Sequence, residues 1–335
     1  VAIAGATGYI GIELINILSK HPNVNILYLC ANKSAGKRIN TFDKRIIKKN
    51  LPKITKVHNI DWNKINILFT SLPNGEAQKI ALSLPKHVKL IDLSADFRLK
   101  NFGQYKKWYG INHKCKKFLK KSIYALTEFS RKNLSKYDII SCPGCYPTSV
   151  QIPLIPLIKK NAINTKNIII DSKSGYSGAG RSVHIKHKNK NLYESLSAYG
   201  VGFHRHNSEI DQELQNYSNS KINFTFTPHL TPMFRGILST IYVDLNKGFS
   251  LDKIIKTLKS FHKKSQFVKI LKKDTLVSTN DVINSNNCYI SVCRTKYKNR
   301  IIILSAIDNL IKGGAGQAIQ NMNLKFGFKI NEGLR

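Results

Sequence analysis

Near its start the chain reads Val1-Ala2-Ile3-Ala4-Gly5-Ala6-Thr7-Gly8-Tyr9-Ile10-Gly11, and the apolar-rich run Ile12 to Leu18 follows. This order predicts a strand, a glycine turn and a helix. The glycines are spaced G-x-x-G-x-x-G, a variant of the fingerprint in which the backbone approaches a pyrophosphate at a helix N-terminus. The bare pattern is weak, but its position favours dinucleotide binding by Gly5 to Gly11 over a turn that is merely tight.

The next apolar run, Asn25 to Ala31, predicts the second strand of this unit. An NAD site would place an acidic residue at its end, to hold the ribose. Here the segment 32–38 carries Ser34, Lys37 and Arg38 and no acid. It therefore favours NADP, whose 2′-phosphate suits a hydroxyl and cations. The alternative is one more lysine-rich loop.

Strand and helix signals continue to alternate, with strands at Ile65 to Thr70 and Val88 to Leu93 around a helix at Glu76 to Leu84. Such alternation predicts a doubly wound parallel sheet, which binds ligands at the carboxyl ends of its strands. Two segments lie at such ends: Ser71-Leu72-Pro73, expected at the cofactor, and Ser94-Ala95-Asp96-Phe97-Arg98. Arg98 is either an anion clamp or an ordinary loop arginine.

The segment from Leu99 to Ser122 is basic and aromatic with poor periodicity, and we expect an excursion on the surface of the first domain. Beyond Cys145 the strands become longer and too close together for repeated βαβ units, which predicts a mixed α+β domain with a broad sheet that also pairs subunits. The last helix, Ile311 to about Phe326, is expected to return to the first domain. The predicted domains are residues 1–144, 145–310 and 311–335.

A cysteine turn, Ser141-Cys142-Pro143-Gly144-Cys145-Tyr146-Pro147-Thr148, lies between the apolar run Tyr137 to Ile140 and an amphipathic run, Val150 to Ile158. We expect a helix from Thr148 to about Lys160. A thiol at such a helix start is favoured as thiolate by the macrodipole and the unpaired N–H groups. Three chemistries compete: a dithiol redox centre, half of a zinc site, or a single nucleophile, Cys145, working with a distant histidine. Cys288 and Cys293 are poorly spaced as a second zinc pair.

Two further clusters carry chemistry. His204, Arg205, His206 and Glu209 combine two imidazoles, a guanidinium and a carboxylate, which indicates acid–base work and anion binding rather than an exposed polar loop. A helix from Ile210 to Leu214 is expected to follow. The segment Ser172 to Arg181, with Ser174, Ser177 and Gly178, is either a phosphate cradle or a flexible loop without a ligand.

Bulk composition narrows the class of protein. The 335 residues carry a formal net charge of +35, which alone suggests a nucleic-acid partner. The lysines are scattered along the whole chain, however, so a biased, solvated surface is favoured over a nucleic-acid site. No apolar run approaches the roughly 18 residues of a membrane span, and no secretory segment is apparent. The six cysteines are interpreted as mostly free thiols in a reducing cytoplasm.

A dinucleotide site, a thiolate, a histidine and several anion sites converge on one reaction. Cysteine forms a thioester from an acyl phosphate, and NADPH reduces that thioester to an aldehyde.

The motifs also resemble those of one family. They are Gly5 to Gly11, Asp92 to Arg98, Pro143 to Thr148, Ser174 to Arg181 and His204 to His206. Together they are similar to the N-acetyl-gamma-glutamyl-phosphate reductases of arginine biosynthesis, in order and over nearly the whole chain. The related aspartate-semialdehyde dehydrogenases share the fold and the Ser-Ala-x-Phe-Arg type of segment, but not the Cys-Tyr-Pro-Thr turn or the His-Arg-His cluster.

This resemblance implies an α/β protein with a Rossmann-type doubly wound parallel sheet domain, a mixed α+β catalytic and oligomerisation domain, and NADP. It implies Cys145 as nucleophile, His204 as acid–base group supported by Glu209, and Arg98 as phosphate ligand. Segment 308–314 would approach the nicotinamide. The expected substrate ligands are Arg98, Ser174, Arg181, Arg205 and His206, and the further cofactor ligands are Ser177, Gly178, Asn309 and Gly313.

We expect a cytoplasmic homodimer or homotetramer that takes a small acyl phosphate and no metal, nucleic acid or membrane. The alternative substrate class is that of aspartate-semialdehyde dehydrogenase or an aminoadipyl relative. Two residues depart from the family pattern, Cys142 for Asn and Ser208 for Pro. The first leaves open a Cys142–Cys145 disulfide that would block catalysis under oxidation.

Overall fold

The computed structural model describes residues 1–46, 50–181 and 194–334. The chain divides into two compact units, Val1–Pro143 with Gly314–Arg335, and Gly144–Gly313. The α-helices of the described parts are α1 (Tyr9–Leu18), α2 (Glu76–Ser83), α3 (Phe102–Tyr109), α4 (Thr127–Ser130), α5 (Cys145–Lys159), α6 (His206–Asn216), α7 (Leu251–His262) and α8 (Gly316–Lys325), with a π-helical turn at Ile311–Ala315.

The strands form one sheet in each unit. Those of the first unit are β1 (Ala2–Ala4), β2 (Tyr28–Cys30), β3 (Ile54–Thr55), β4 (Ile67–Thr70), β5 (Lys89–Asp92), β6 (Ser122–Tyr124) and β7 (Ile139–Ser141). Those of the second unit are β8 (Ile168–Gly175), β9 (Ser197–Ala198), β10 (Phe224–Thr231), β11 (Ile237–Asp244), β12 (Val268–Ile270), β13 (Cys288–Arg294) and β14 (Arg300–Ile307).

The first sheet is parallel throughout its described strands, in the order β3-β2-β1-β4-β5-β7-β6. At its centre Ile3 pairs with Leu29 on one side and Phe69 on the other. Every residue of β1, β4 and β7 is buried. A parallel sheet covered on both faces requires such continuous apolar strands, and the predicted doubly wound sheet is confirmed.

The C-terminal helix packs on this first unit. Ala318, Ile319 and Met322 of α8 share one buried core with Ile12 and Ile15 of α1. The predicted return of the last helix is therefore confirmed. The π-helical turn that precedes it was not predicted.

The second sheet is mixed, in the order β12-β13-β14-β11-β8-β10-β9. The long central strand β11 is antiparallel to both of its neighbours, β14 and β8, while β10 runs parallel to β8. Along β11 buried and half-buried residues alternate, as expected where one face of a sheet is covered and the other is open. The predicted mixed α+β domain is confirmed.

Helix α5 corrects two expectations. The predicted helix began at Thr148, but α5 begins at Cys145, because Pro147 lies in the first turn, where a missing N–H costs no intrahelical bond. The run Val150 to Ile158 is also not amphipathic, since every side chain from Tyr146 to Ile158 is buried. A helix that is apolar on all sides belongs to the interior of its domain.

The segment Leu99 to Ser122 is largely exposed, as predicted for an excursion on the surface, but a few buried side chains anchor it to the first unit. Tyr105 is fully buried and its hydroxyl donates to Asp96 Oδ1 across 2.6 Å. The Asp96 carboxylate also accepts the N–H groups of Gly75 and Gln78, at the start of α2. The aromatic residue is thus fixed to a buried carboxylate that caps a helix, which poor periodicity did not reveal.

Candidate active site

Cys145 is the first residue of α5 and is half-buried. The residue before it, Gly144, caps the helix, and its carbonyl accepts from the N–H and the hydroxyl of Thr148 across 3.0 and 2.9 Å. The thiol therefore lies at the positive end of a 15-residue helix, where the macrodipole favours a negative charge.

Gly313, in the π-helical turn, lies against the backbone of Cys145. A Cβ at Gly313 would be 2.6 Å from Cys145 Cβ and 3.0 Å from its Cα. Only glycine fits this contact without a shift of one of the two backbones. This contact with the cysteine was not predicted, and the approach of segment 308–314 to the nicotinamide stays a prediction.

Glu209 fixes the other side of the cysteine turn. Its side chain is fully buried, and its Oε2 accepts the N–H of Gly144 across 2.9 Å. Helix α6 begins at His206 and not at Ile210 as predicted, so His206 and Glu209 share its first turn. His206 Nε2 lies 3.8 Å from Glu209 Oε1.

The imidazole of His206 also touches Gly144. A Cβ at Gly144 would lie 2.5 Å from His206 Nε2. The ring therefore occupies the space that any larger residue before Cys145 would need. His206, Glu209 and the cysteine turn form one packed group.

His204 is surrounded by aromatic rings. The centroids of Tyr146, Tyr199 and Phe226 lie 5.5, 5.3 and 5.6 Å from its own. Burial, and secondarily the charge of Arg205, lowers the pKa of His204 to about 4. Its Nδ1 faces the N–H of His206 across 3.2 Å, so His204 is a neutral ring that holds the start of α6.

Two tyrosines of this group were missed from the sequence. The Tyr199 hydroxyl donates to the Tyr146 hydroxyl across 3.1 Å, and Tyr146 donates to the carbonyl of His229. Burial raises the pKa of both phenols, that of Tyr199 to about 12. The position of Tyr146, directly after the cysteine, was the signal that could have identified it.

The predicted phosphate cradle is partly engaged in internal hydrogen bonds. Ser174 is buried and donates to the carbonyl of Gly175, and Ser177 Oγ accepts from Asn309 Nδ2 across 2.9 Å. Gly178 lies beside both groups, since a Cβ there would be 3.1 Å from Ser174 Oγ. Arg181 is half-buried and Arg205 is exposed.

In the first unit the glycine fingerprint forms a close-packed cradle. Gly5 has φ +88°, and a Cβ there would lie 2.1 Å from the carbonyl oxygen of Ser71. A Cβ at Gly11 would lie 2.2 Å from the carbonyl oxygen of Gly5. Gly8 caps α1 and meets only one atom, at 3.4 Å, so the backbone at the helix start stays approachable. This arrangement fits a pyrophosphate.

The neighbouring segments have the expected chemistry. After β2 come the half-buried Ser34 and the exposed Lys37 and Arg38, with no acid between residues 31 and 38. After β4, Ser71 donates its N–H to the carbonyl of Ala4, and the exposed Pro73 follows. These groups suit the 2′-phosphate and the dinucleotide backbone of NADP.

Arg98 holds the main chain at the beginning of the cysteine turn. It is 8% exposed, and its Nε and Nη2 donate to the carbonyls of Cys142 and Leu93 across 2.9 and 2.8 Å. The guanidinium thus fixes the ends of two neighbouring strands.

The described residues include no group of three or more His, Cys, Asp or Glu side chains arranged to hold a metal ion. In the same residues we find no helix with the length and apolar character needed to span a membrane.

Comparison with known proteins gives the family. Residues 1–137 match the family model described as "Semialdehyde dehydrogenase, NAD binding domain", and residues 145–309 match "Semialdehyde dehydrogenase, dimerisation domain". An N-acetyl-gamma-glutamyl-phosphate reductase of Clostridium botulinum is 42% identical over 335 residues, which cover 100% of this chain and 97% of that protein. The chain belongs to the N-acetyl-gamma-glutamyl-phosphate reductase family.

Other reductases of this family are as similar. One from Ehrlichia canis is 41% identical over 98% of this chain and 95% of its own length. The "Probable N-acetyl-gamma-glutamyl-phosphate reductase, chloroplastic" of Arabidopsis thaliana is 41% identical over 100% of this chain and 83% of its own.

Solved structures of aspartate semialdehyde dehydrogenases have the same fold as this chain. An aspartate semialdehyde dehydrogenase II of Vibrio cholerae superposes with a TM-score of 0.74 at 17% identity, covering 97% of both chains. The enzyme of Candida albicans, solved with NADP, gives 0.69 at 17% identity over 96% of this chain and 97% of that one. At these identities the likeness shows the fold.

Proposed function

We propose that this protein reduces N-acetyl-gamma-glutamyl phosphate to N-acetylglutamate 5-semialdehyde, with release of phosphate, in arginine biosynthesis. NADPH is the reductant. The observation that carries the proposal is the packed group around Cys145: a thiol at a helix N-terminus, with Gly313 against its backbone and with Glu209 and His206 on the residue before it. The full-length relatives bear the name of this reaction.

In the first step the Cys145 thiolate attacks the acyl carbon. A carbon–sulfur bond forms, the bond from carbon to the phosphate oxygen breaks, and phosphate leaves. The N–H groups in the first turn of α5 stabilise the oxyanion, since donors fixed at a helix start need no reorganisation. The product of this step is a thioester on Cys145.

When bound, NADPH supplies the hydride that reduces the thioester to a thiohemiacetal. The carbon–sulfur bond then breaks, the aldehyde leaves and the Cys145 thiolate returns. The glycine cradle from Gly5 to Gly11 holds the pyrophosphate, and Ser34, Lys37 and Arg38 hold the 2′-phosphate.

A histidine exchanges protons with the reacting oxygen, and the geometry supports His206 for this step. Its Nε2 lies at Gly144, directly before the nucleophile, and the buried Glu209 carboxylate is 3.8 Å away. His204, which the resemblance designates for this role, stays a prediction. We propose that its aromatic surroundings and its low pKa make it the support of His206.

The ligands of the substrate's anionic groups also stay predictions. Arg205 is exposed, so its side chain is accessible to an anion, and Arg181 is half-buried. Arg98 and Ser174 are buried and already hold main-chain carbonyls. Contacts of Ser177, Gly178, Asn309 and Gly313 with the cofactor are predicted as well.

The protein is further proposed to be a homodimer or homotetramer that assembles through the open face of the second sheet. In register, Tyr242 of β11 lies between Ile169 of β8 and Ile302 of β14. Ile169 is 38% exposed, while Ser239, on the opposite face, bonds to Ser149 of α5. We propose a cytoplasmic location, consistent with six cysteines that form no disulfide in the structure.

A reverse assay tests the substrate. NADP reduction is measured with phosphate and either N-acetylglutamate semialdehyde or aspartate semialdehyde. We expect phosphate-dependent turnover with the first aldehyde at least about a hundredfold above the second, as for a substrate whose polar groups are recognised. Equal or reversed preference would reject the proposed acyl group, and turnover without phosphate would reject the acyl phosphate.

A further inference from the structure

Two Arg–Asp ion pairs lie at opposite ends of the paired strands β11 and β14. At one end Arg300 Nε lies 2.7 Å from Asp244 Oδ1, and the side chains are 36% and 18% exposed. At the other end Arg235 Nη1 lies 3.1 Å from Asp308 Oδ2, with exposures of 9% and 0%. The first pair is at the surface and the second is in the interior.

The buried carboxylate of Asp308 organises the turn that follows β14. Its Oδ1 accepts the N–H groups of Leu310 and Ile311 across 2.8 and 3.1 Å, and its Oδ2 accepts the N–H of Asn284 across 2.7 Å. The carbonyl of the same residue accepts the N–H of Gly313 across 2.9 Å. One residue thus holds both the beginning of the turn and its glycine.

The next residue repeats the connection to β11. Asn309 Oδ1 accepts the N–H of Gly236 across 2.7 Å, and its Nδ2 donates to Ser177. Two bonds therefore connect these neighbouring segments. The Arg235 side chain pairs with the Asp308 side chain, and the Gly236 N–H donates to the Asn309 side chain. These bonds attach the turn to the start of β11.

We propose that Asp308 is a positioning residue for the reaction, which holds Gly313 against Cys145 and so confines the nucleophile. The inference rests on the proposed role of Cys145. Gly313 has no side chain to anchor it, so its contact with Cys145 depends on the turn. If the turn relaxes, the thiol gains rotamer freedom and loses its alignment with the acyl carbon, which costs rate rather than affinity.

The test compares Asp308→Asn with Asp244→Asn, the matched change at the exposed pair. For Asp308→Asn we expect kcat to fall about 10- to 100-fold, while the KM for acyl phosphate stays unchanged. For Asp244→Asn we expect both kcat and KM to stay unchanged. Alkylation by iodoacetamide, followed by peptide mass spectrometry, needs no substrate. In Asp308→Asn, Cys145 should react severalfold faster while the buried Cys288 of the same unit stays protected.

A stability effect is separated by the double variant Arg235→Met, Asp308→Asn, which leaves no buried charge unpaired. We expect this variant to be folded and still slow. Recovery of wild-type kcat in the double variant, wild-type kcat in a folded Asp308→Asn, or joint exposure of Cys145 and Cys288 would each overturn the positioning role. If Cys145 becomes more reactive in an enzyme that reduces no acyl phosphate, the positioning role stands and the proposed function fails.

Discussion

Cys142 and Cys145 lie at the two ends of the short segment Cys142-Pro143-Gly144-Cys145, but their surroundings differ. Cys142 follows β7 in the first unit, is 1% exposed and accepts from Asn321 Nδ2 across 3.8 Å. Burial, above all, raises the pKa of its thiol to about 12. Cys145 begins α5 in the second unit and is half-buried. The C-x-x-C spacing gives the two residues equal weight, but only Cys145 has the surroundings of a nucleophile.

The Cys145→Ala variant should have the largest effect on activity. We expect turnover to fall by at least about a thousandfold, because no other group can form the thioester. NADPH binding, measured by fluorescence titration, should be unchanged, because Cys145 is not among the predicted cofactor ligands. A variant with near-normal turnover would show that Cys145 is not the nucleophile.

The two histidines around Cys145 should differ as well. For His206→Asn we expect kcat to fall about 10²- to 10⁴-fold, the usual range for loss of a general acid–base group. For His204→Asn we expect a fall of about tenfold, because only the support of His206 is lost. Steady-state kinetics over a range of pH measure both. A larger loss of kcat in His204→Asn than in His206→Asn would instead assign the proton transfer to His204.

A substitution at Gly144, which lies between the two cysteines, should have a more moderate effect on activity. Its Ala variant places a Cβ 2.5 Å from His206 Nε2, so the ring must move. Overpacking of this kind costs about 1–3 kcal/mol in unfolding free energy, and kcat should fall with it. Urea unfolding and kinetics measure the two effects, and since Gly144 has φ −67°, its Ala variant adds no backbone strain of its own. Full activity in Gly144→Ala would show that the contact of His206 with Gly144 is not needed for the reaction.

Cys142→Ala should have the smallest effect. We expect kcat within about twofold of wild type and a loss of about 1–2 kcal/mol in unfolding free energy, as for a buried side chain that is made smaller. Loss of activity comparable to Cys145→Ala would instead support a dithiol mechanism.

The same variant has a pH signature. Because the folded pKa of Cys142 is raised from 9.0 to about 12, the fold favours the protonated thiol. Its contribution to stability is present below pH 9 and is lost as pH rises toward 12. Denaturant unfolding at about pH 8 and about pH 10.5 should therefore show a smaller alkaline loss in Cys142→Ala than in wild type. Equal losses would contradict the raised pKa.

Sequence patterns predicted the fold well where local signals repeat. The glycine fingerprint and the alternation of strands and helices gave the parallel sheet, since both are read from short segments. The start of α5 and its complete burial were mispredicted, because Pro147 reads as a helix breaker and burial on all sides is decided by tertiary packing. Tyr105 was missed for the same reason: its partner, Asp96, belongs to another element.

Of the active site, the sequence identified the residue types but not their contacts. It singled out Cys145, the two histidines and Glu209, yet it gave no means of telling His204 from His206. That distinction depends on which ring reaches Gly144, a contact across about sixty positions of chain. The contact of Gly313 with Cys145 and the pairing of Arg235 with Asp308 likewise join distant segments and have no local signature.

The most direct test of Cys145 as nucleophile is to trap the acyl enzyme. The protein is mixed with N-acetyl-gamma-glutamyl phosphate without NADPH, quenched in acid and digested, and the peptide that contains both cysteines is fragmented by tandem mass spectrometry. We predict the mass of an N-acetylglutamyl group on Cys145 with Cys142 unmodified. An acyl group on Cys142, or a Cys142–Cys145 disulfide in place of the acyl group, would contradict Cys145 as the nucleophile.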